Sequence, residues 1–85
     1  MLDRIVEAEA RPHHRIWIRF EDGLEGELSV GHLVGKGVFE AWTDEAEFRK
    51  VSVDEDAGTV AWPGGIDLAP DALRTRLLET LTKAL

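Results

Sequence analysis

Thr59-Val60-Ala61-Trp62-Pro63-Gly64-Gly65-Ile66-Asp67-Leu68-Ala69-Pro70-Asp71-Ala72-Leu73 is the stretch that decides the fold. A short apolar strand ends at Trp62, and Pro63-Gly64-Gly65 turns the chain. Ile66 and Leu68 follow two apart, and a helix starts near Pro70. Glycine allows a tight or left-handed path, and proline suits the first helical position. Trp62, Pro63, Gly64, Gly65 and Asp67 therefore read as a structural hinge that joins a sheet to a helix.

Downstream of the hinge, Leu73, Leu77 and Leu81 recur at four-residue intervals and Leu78 widens the stripe. This spacing predicts an amphipathic helix from Pro70 toward Lys83 whose leucine face packs on the sheet. Asp71 and Lys83 suit its amino and carboxyl ends. Upstream, Arg49 to Glu55 reads as a strand with Val51 and Val53 on one face. The turn Asp56-Ala57-Gly58 then makes a hairpin with residues 59–62.

A stronger strand signal lies at Arg15 to Phe20, where Ile16, Ile18 and Phe20 alternate with Arg15, Trp17 and Arg19. The next strand spans Leu24 to Ser29. A two-residue Asp22-Gly23 loop would put the apolar faces out of register. A three-residue Glu21-Asp22-Gly23 loop with a glycine bulge sets Phe20 against Leu24. That register predicts Arg19 opposite Glu25, Ile18 opposite Gly26, Trp17 opposite Glu27 and Ile16 opposite Leu28. Before it, Leu2 to Ala10 reads as a first strand, joined through Arg11-Pro12-His13-His14. Val30 to Glu40 reads as short helical turns broken by glycine, with Leu33, Val34, Val38 and Phe39 against the core. Asp44 is the expected cap of a turn carrying Glu47 and the core residue Phe48. The expected architecture is a single α+β domain over residues 1–85: a small antiparallel sheet, short covering helices and a C-terminal amphipathic helix.

Composition narrows the chemistry. Of 85 residues, 44% are hydrophobic and 32% charged, which supports a packed core over disorder. Seventeen acidic against ten basic residues give a net charge of -7, which opposes nonspecific attraction to nucleic acid or anionic membranes and favours a basic partner protein. With no cysteine, disulfides and thiolate metal ligands are excluded. No long apolar span, leader pattern or repeat is visible, so a soluble cytoplasmic protein is expected.

The ordered motifs Phe20-Glu21-Asp22-Gly23, Gly37-Val38-Phe39, Phe48, Val51-Ser52-Val53-Asp54 and Trp62-Pro63-Gly64-Gly65-Ile66-Asp67-Leu68-Ala69-Pro70 resemble the small bacterial DUF2442 family over nearly the whole chain. The resemblance implies an α+β domain of largely uncharacterised role. Some relatives look like partners in toxin-antitoxin-type gene pairs, and longer ones add a helix-turn-helix region. No such pattern follows the last helix of this sequence, so direct DNA recognition is not carried over.

Three functional classes remain. The leading expectation is a non-enzymatic protein-interaction module, with an antitoxin-like role as a narrower version. Its face comprises Ile5, Arg15, Trp17, Arg19, Glu25 and Glu27, an aromatic anchor with a charged rim. The expected partner is another protein, basic or toxin-like, with a homodimer as a further option. A metal-dependent hydrolase would use Asp54, Asp56 and a histidine from His13, His14 or His32, but the spacing matches neither a calcium loop nor a zinc site. A nucleic-acid role would rest on Arg15, Trp17 and Arg19, with Glu25 and Glu27 opposing it. No cofactor, catalytic residue or metal ligand is assigned, and no membrane association is expected.

Overall fold

A computed structural model describes residues 4–83 of the chain, so Leu2 and Asp3 of the expected first strand lie outside the described residues. Strands β1 (Ile5–Arg11), β2 (Arg15–Phe20) and β3 (Glu25–Ser29) precede 3-10 turns at Gly31–Leu33 and Gly37–Thr43. Helix α1 (Glu45–Phe48), strands β4 (Ser52–Asp54), β5 (Thr59–Trp62) and β6 (Ile66–Leu68), and helix α2 (Pro70–Lys83) follow. The fold is α+β. Its strands form two three-stranded antiparallel sheets, ordered β1-β2-β3 and β4-β5-β6, where the sequence suggested one.

The β2–β3 register is the predicted one: Ile16, Trp17, Ile18 and Arg19 face Leu28, Glu27, Gly26 and Glu25. Phe20 N donates to Leu24 O at 2.7 Å, and Gly23 N donates back to Phe20 O at 2.9 Å. Gly23 has φ +93°, the left-handed conformation that the bulge requires.

The region around Pro63 is a hairpin rather than a hinge. Ile66 and Leu68 belong to β6, which pairs with β5 through Trp62↔Ile66, Ala61↔Asp67 and Val60↔Leu68. Pro63-Gly64-Gly65 is its loop, with φ +90° at Gly64 and +82° at Gly65. Three residues are too few to show a period, so the strand was hidden in the sequence. Asp67 lies within β6, exposed, and not in the turn.

The core, which both sheets and α2 share, is apolar throughout. Ile16, Ile18, Phe20, Leu28 and Val30 come from the first half, and Phe48, Val60, Trp62, Ile66, Leu73 and Leu77 from the second. Trp42, fully buried, packs tilted against Phe39 and Trp62 and edge-on against Phe48, with ring centroids 4.8, 4.6 and 5.1 Å away. Trp62 Nε1 donates to Phe48 O at 2.7 Å. The Trp42 indole N–H is buried with no such acceptor among the described residues. Asp44 caps α1 as expected, its Oδ1 accepting from Ala46 N at 3.0 Å. Glu47, by contrast, turns to Lys50, at 2.7 Å.

Helix α2 packs Leu73 and Leu77 inward, whereas Leu78 and Leu81 stay 45% and 42% exposed. The leucine stripe is thus only half buried. Leu81 is one turn past Leu77, and the exposed Thr80 beside it shows that the core has already ended there. Val38, expected in the core, is 65% exposed at the tip of the glycine-flanked 3-10 segment. Arg74 clamps α2 to the β2–β3 turn, with Nη2 2.6 Å from Asp22 Oδ2 and Nη1 3.2 Å from Oδ1. This bidentate bond and the Leu24 N–H hold the Asp22 carboxyl below its usual pKa.

Candidate functional site

The outer face of β1–β3, opposite the core, carries most of the residues named from sequence. Alternation along β2 buries Ile16, Ile18 and Phe20 and leaves Arg15, Trp17 and Arg19 half-buried on the other side. Register adds Glu25 and Glu27 from β3, and Glu7, Glu9 and Arg11 from β1. Eight residues of three strands therefore share one surface.

Trp17 occupies its middle. The other two tryptophans, Trp42 and Trp62, are 0% and 4% exposed. Trp17 lies on β2, the central strand, with Glu9 and Glu27 directly opposite it on either side. The Arg11 guanidinium sits 5.9 Å from its ring centroid, a cation–π arrangement. Around the ring, Arg15 pairs with Glu27 and Arg19 with Glu7. Arg11 lies 3.6 Å from Glu9 and 3.9 Å from Glu27. Arg19, which faces Glu25 on β3, is thus drawn to β1, and Glu25 makes no ion pair with any described residue. Ion pairs this exposed stabilise a fold by only about 0–1 kcal/mol each. Their main effect here is to fix the arginines around Trp17.

Ile5 does not belong to this face. It pairs with Phe20 and is 1% exposed, because the register shifts between Ile5 and Glu7. Val6 is the extra residue of a β-bulge, which reverses the side on which Ile5 points. Glu7, Glu9 and Arg11 do belong to the face and were missed, although two-residue alternation alone sets the three on one side of β1. Their signal was present in the alternation Glu7-Ala8-Glu9-Ala10-Arg11.

The residues considered for a hydrolytic site are held apart by other contacts. Asp54 Oδ1 accepts from Asp56 N at 3.0 Å and Ala57 N at 3.2 Å, so this carboxylate ties the β4–β5 turn. His13 and His14 both adopt left-handed backbone angles in the β1–β2 turn, with φ 64° and 54°. His14 Nε2 is 2.6 Å from Trp42 O, and its ring meets Phe48 edge-on with centroids 4.9 Å apart. His32 lies in the separate 3-10 turn at Gly31–Leu33. No group of three or more His, Cys, Asp or Glu side chains among the described residues is placed to hold a metal ion.

The profile of a family described as "Protein of unknown function (DUF2442)" matches residues 5–78, nearly all of the 85-residue chain. The chain belongs to the DUF2442 family. The match spans both sheets and most of α2, so the face around Trp17 is built on the part of the chain that the family shares. No curated protein and no solved structure matches it. No described helix is long and apolar enough to cross a membrane.

Proposed function

We propose that this DUF2442 chain is a non-enzymatic protein-interaction module that receives another protein on the outer face of β1–β3. The observation that carries this reading is the placement of Trp17: half-buried at the centre of a sheet face whose charged neighbours are already paired. Interfaces gain most of their energy from a few anchors, tryptophan prominent among them, set within a polar rim. Covering such a face desolvates its ion pairs, but because the arginines keep their carboxylate partners none of them is left as an unpaired buried charge, the costlier case.

Charge favours a basic partner. The chain carries a net -7, and Glu25 at the margin of the face has no ion pair among the described residues. The arginines argue against nucleic acid, since each of the three is neutralised by a glutamate. A toxin-like basic protein, bound in the cytoplasm of a bacterial cell, is the narrower form of the proposal.

Pull-down from native lysate with the intact chain, Trp17→Ala and Glu25→Lys tests the reading. A specific partner held by the intact chain, lost with Trp17→Ala and weakened by Glu25→Lys, is the expected outcome. Equal capture by all three folded proteins, or no specific partner at all, would sink it.

A further inference from the structure

The two sheets meet edge to edge along a seam between β1 and β4 that is closed at one end and open at the other. At the closed end Ile5 N donates to Gly58 O at 2.9 Å. Arg4 bonds there to the carbonyls of Glu55 and Asp56. Gly58, with φ +70°, allows this approach: a Cβ would stand 2.8 Å from Arg4 Cγ and 3.2 Å from Arg4 Cα. Beside these contacts the seam holds a cavity of about 200 Å³ bordered by Arg4, Ile5, Val6, Val53 and Glu55. Toward the other end of β1 lies a separate open cleft of about 520 Å³ bordered by Ala8, Glu9, Ala10, Arg11, Arg49 and Val51.

Backbone alternation decides what this cleft presents. Phe20 bonds to Leu24, so Phe20, Ile18 and Ile16 direct their backbone groups toward β3, and Arg19, Trp17 and Arg15 direct theirs toward β1. Glu7, Glu9 and Arg11 answer them, being the register partners of those residues. The N–H and C=O groups of Ala8 and Ala10 consequently point away from β2, toward the cleft. No backbone hydrogen bond among the described residues crosses from Ala8 or Ala10 to β4. An edge of this kind is a template for another strand.

We propose that β1 takes up an extended segment of a partner protein at Ala8–Ala10 by β-strand addition, with the segment lying in the open end of the seam. This deepens the interaction-module reading and rests on it. The occupant is an extended strand because the cleft offers two donor–acceptor pairs at the two-residue spacing of a strand. Its side chains alternate. Those turned inward lie over Ala8 and Ala10, whose small side chains leave room, and beside Val51, so they are apolar. Those turned outward lie beside Glu9 and Arg11, so they are polar.

Ala10→Pro removes one outward N–H and no bond of the β1–β2 ladder, the position at which an edge strand tolerates proline. Selection from a random nonapeptide phage library against the full chain supplies the probe. Expected are peptides of alternating apolar and polar residues that slow amide exchange at Ala8 and Ala10. They should bind folded Ala10→Pro about tenfold more weakly or worse, the order of one lost hydrogen bond plus the ring's steric block. Ala10→Leu, which fills the room above the strand and keeps the N–H, serves if the proline variant does not fold, and should weaken the same peptides. No enriched peptide, or equal binding by both variants, overturns the proposal. Self-association of the intact chain that Ala10→Pro removes also overturns it, in favour of a second copy as occupant. A Trp17→Ala defect that persists beside a negative result here leaves the interaction module standing on its outer face alone.

Discussion

Replacing Gly26 by alanine should have opposite effects in two backgrounds. Gly26 faces Ile18 on the inner side of β3, and a Cβ there would lie 2.5 Å from Leu77 Cδ1, with Cγ and Cδ2 at 3.5 and 3.6 Å. Leu77 is 0% exposed, so its methyl must move within a packed core. Overpacking of that kind costs about 1–3 kcal/mol. Exchanging glycine for alanine in a strand returns about 0.5–1 kcal/mol. Gly26→Ala alone should therefore destabilise by up to about 2.5 kcal/mol. Leu77→Ala alone, which opens a cavity, should cost about 2–5 kcal/mol. With Leu77 already truncated the collision is gone, and adding Gly26→Ala should stabilise by about 0.5–1 kcal/mol. Urea unfolding of the four proteins, followed by tryptophan fluorescence, measures the coupling, expected at about 1–3 kcal/mol. The same destabilisation by Gly26→Ala in both backgrounds would refute the packing of α2 on β3.

Three further outcomes follow from named contacts. Trp62→Phe should destabilise more than Trp42→Phe by about 1 kcal/mol, because Trp62 Nε1 bonds to Phe48 O while the Trp42 N–H has no partner among the described residues; thermal unfolding compares them. Asp44→Ala should cost about 1 kcal/mol through loss of the α1 cap, read by the urea midpoint. The Asp22 carboxyl is held below its usual pKa, chiefly by the Arg74 hydrogen bonds. Its contribution to stability is therefore present above the unfolded-state pKa and lost as pH falls through the folded one. Asp22→Asn should flatten the acid side of the stability profile, and an unchanged profile would count against the clamp.

Much of this architecture could be read from the sequence wherever period and turn chemistry agree. The β2–β3 register followed from one requirement, that Phe20 and Leu24 share a face across a glycine bulge, and every pair along it is found. The family was legible because its motifs extend through the chain in order. Features set by single residues or by tertiary contacts were not. The bulge at Val6 moves Ile5 into the core without a Gly or Pro to announce it. β6 has only three residues, too few to show a period, so its local hairpin with β5 across Pro63-Gly64-Gly65 carried no strand signal. Leu78 and Leu81 keep helical spacing past the limit of the core, which no local pattern marks. The candidate face was half legible: β2 and β3 supplied Arg15, Trp17, Arg19, Glu25 and Glu27. The contribution of β1 lay in the plain alternation of Glu7, Glu9 and Arg11, and only the exclusion of Ile5 required knowing where the bulge lies.

The proposed role is tested most directly by the composition of native complexes formed by the intact chain and by Trp17→Ala, matched for folded stability. Size-separated mass spectrometry at near-physiological salt reads both. A stoichiometric, basic heterologous protein bound to the intact chain and absent from Trp17→Ala is the predicted result. The same complexes in both samples, or only the isolated chain in each, would contradict it.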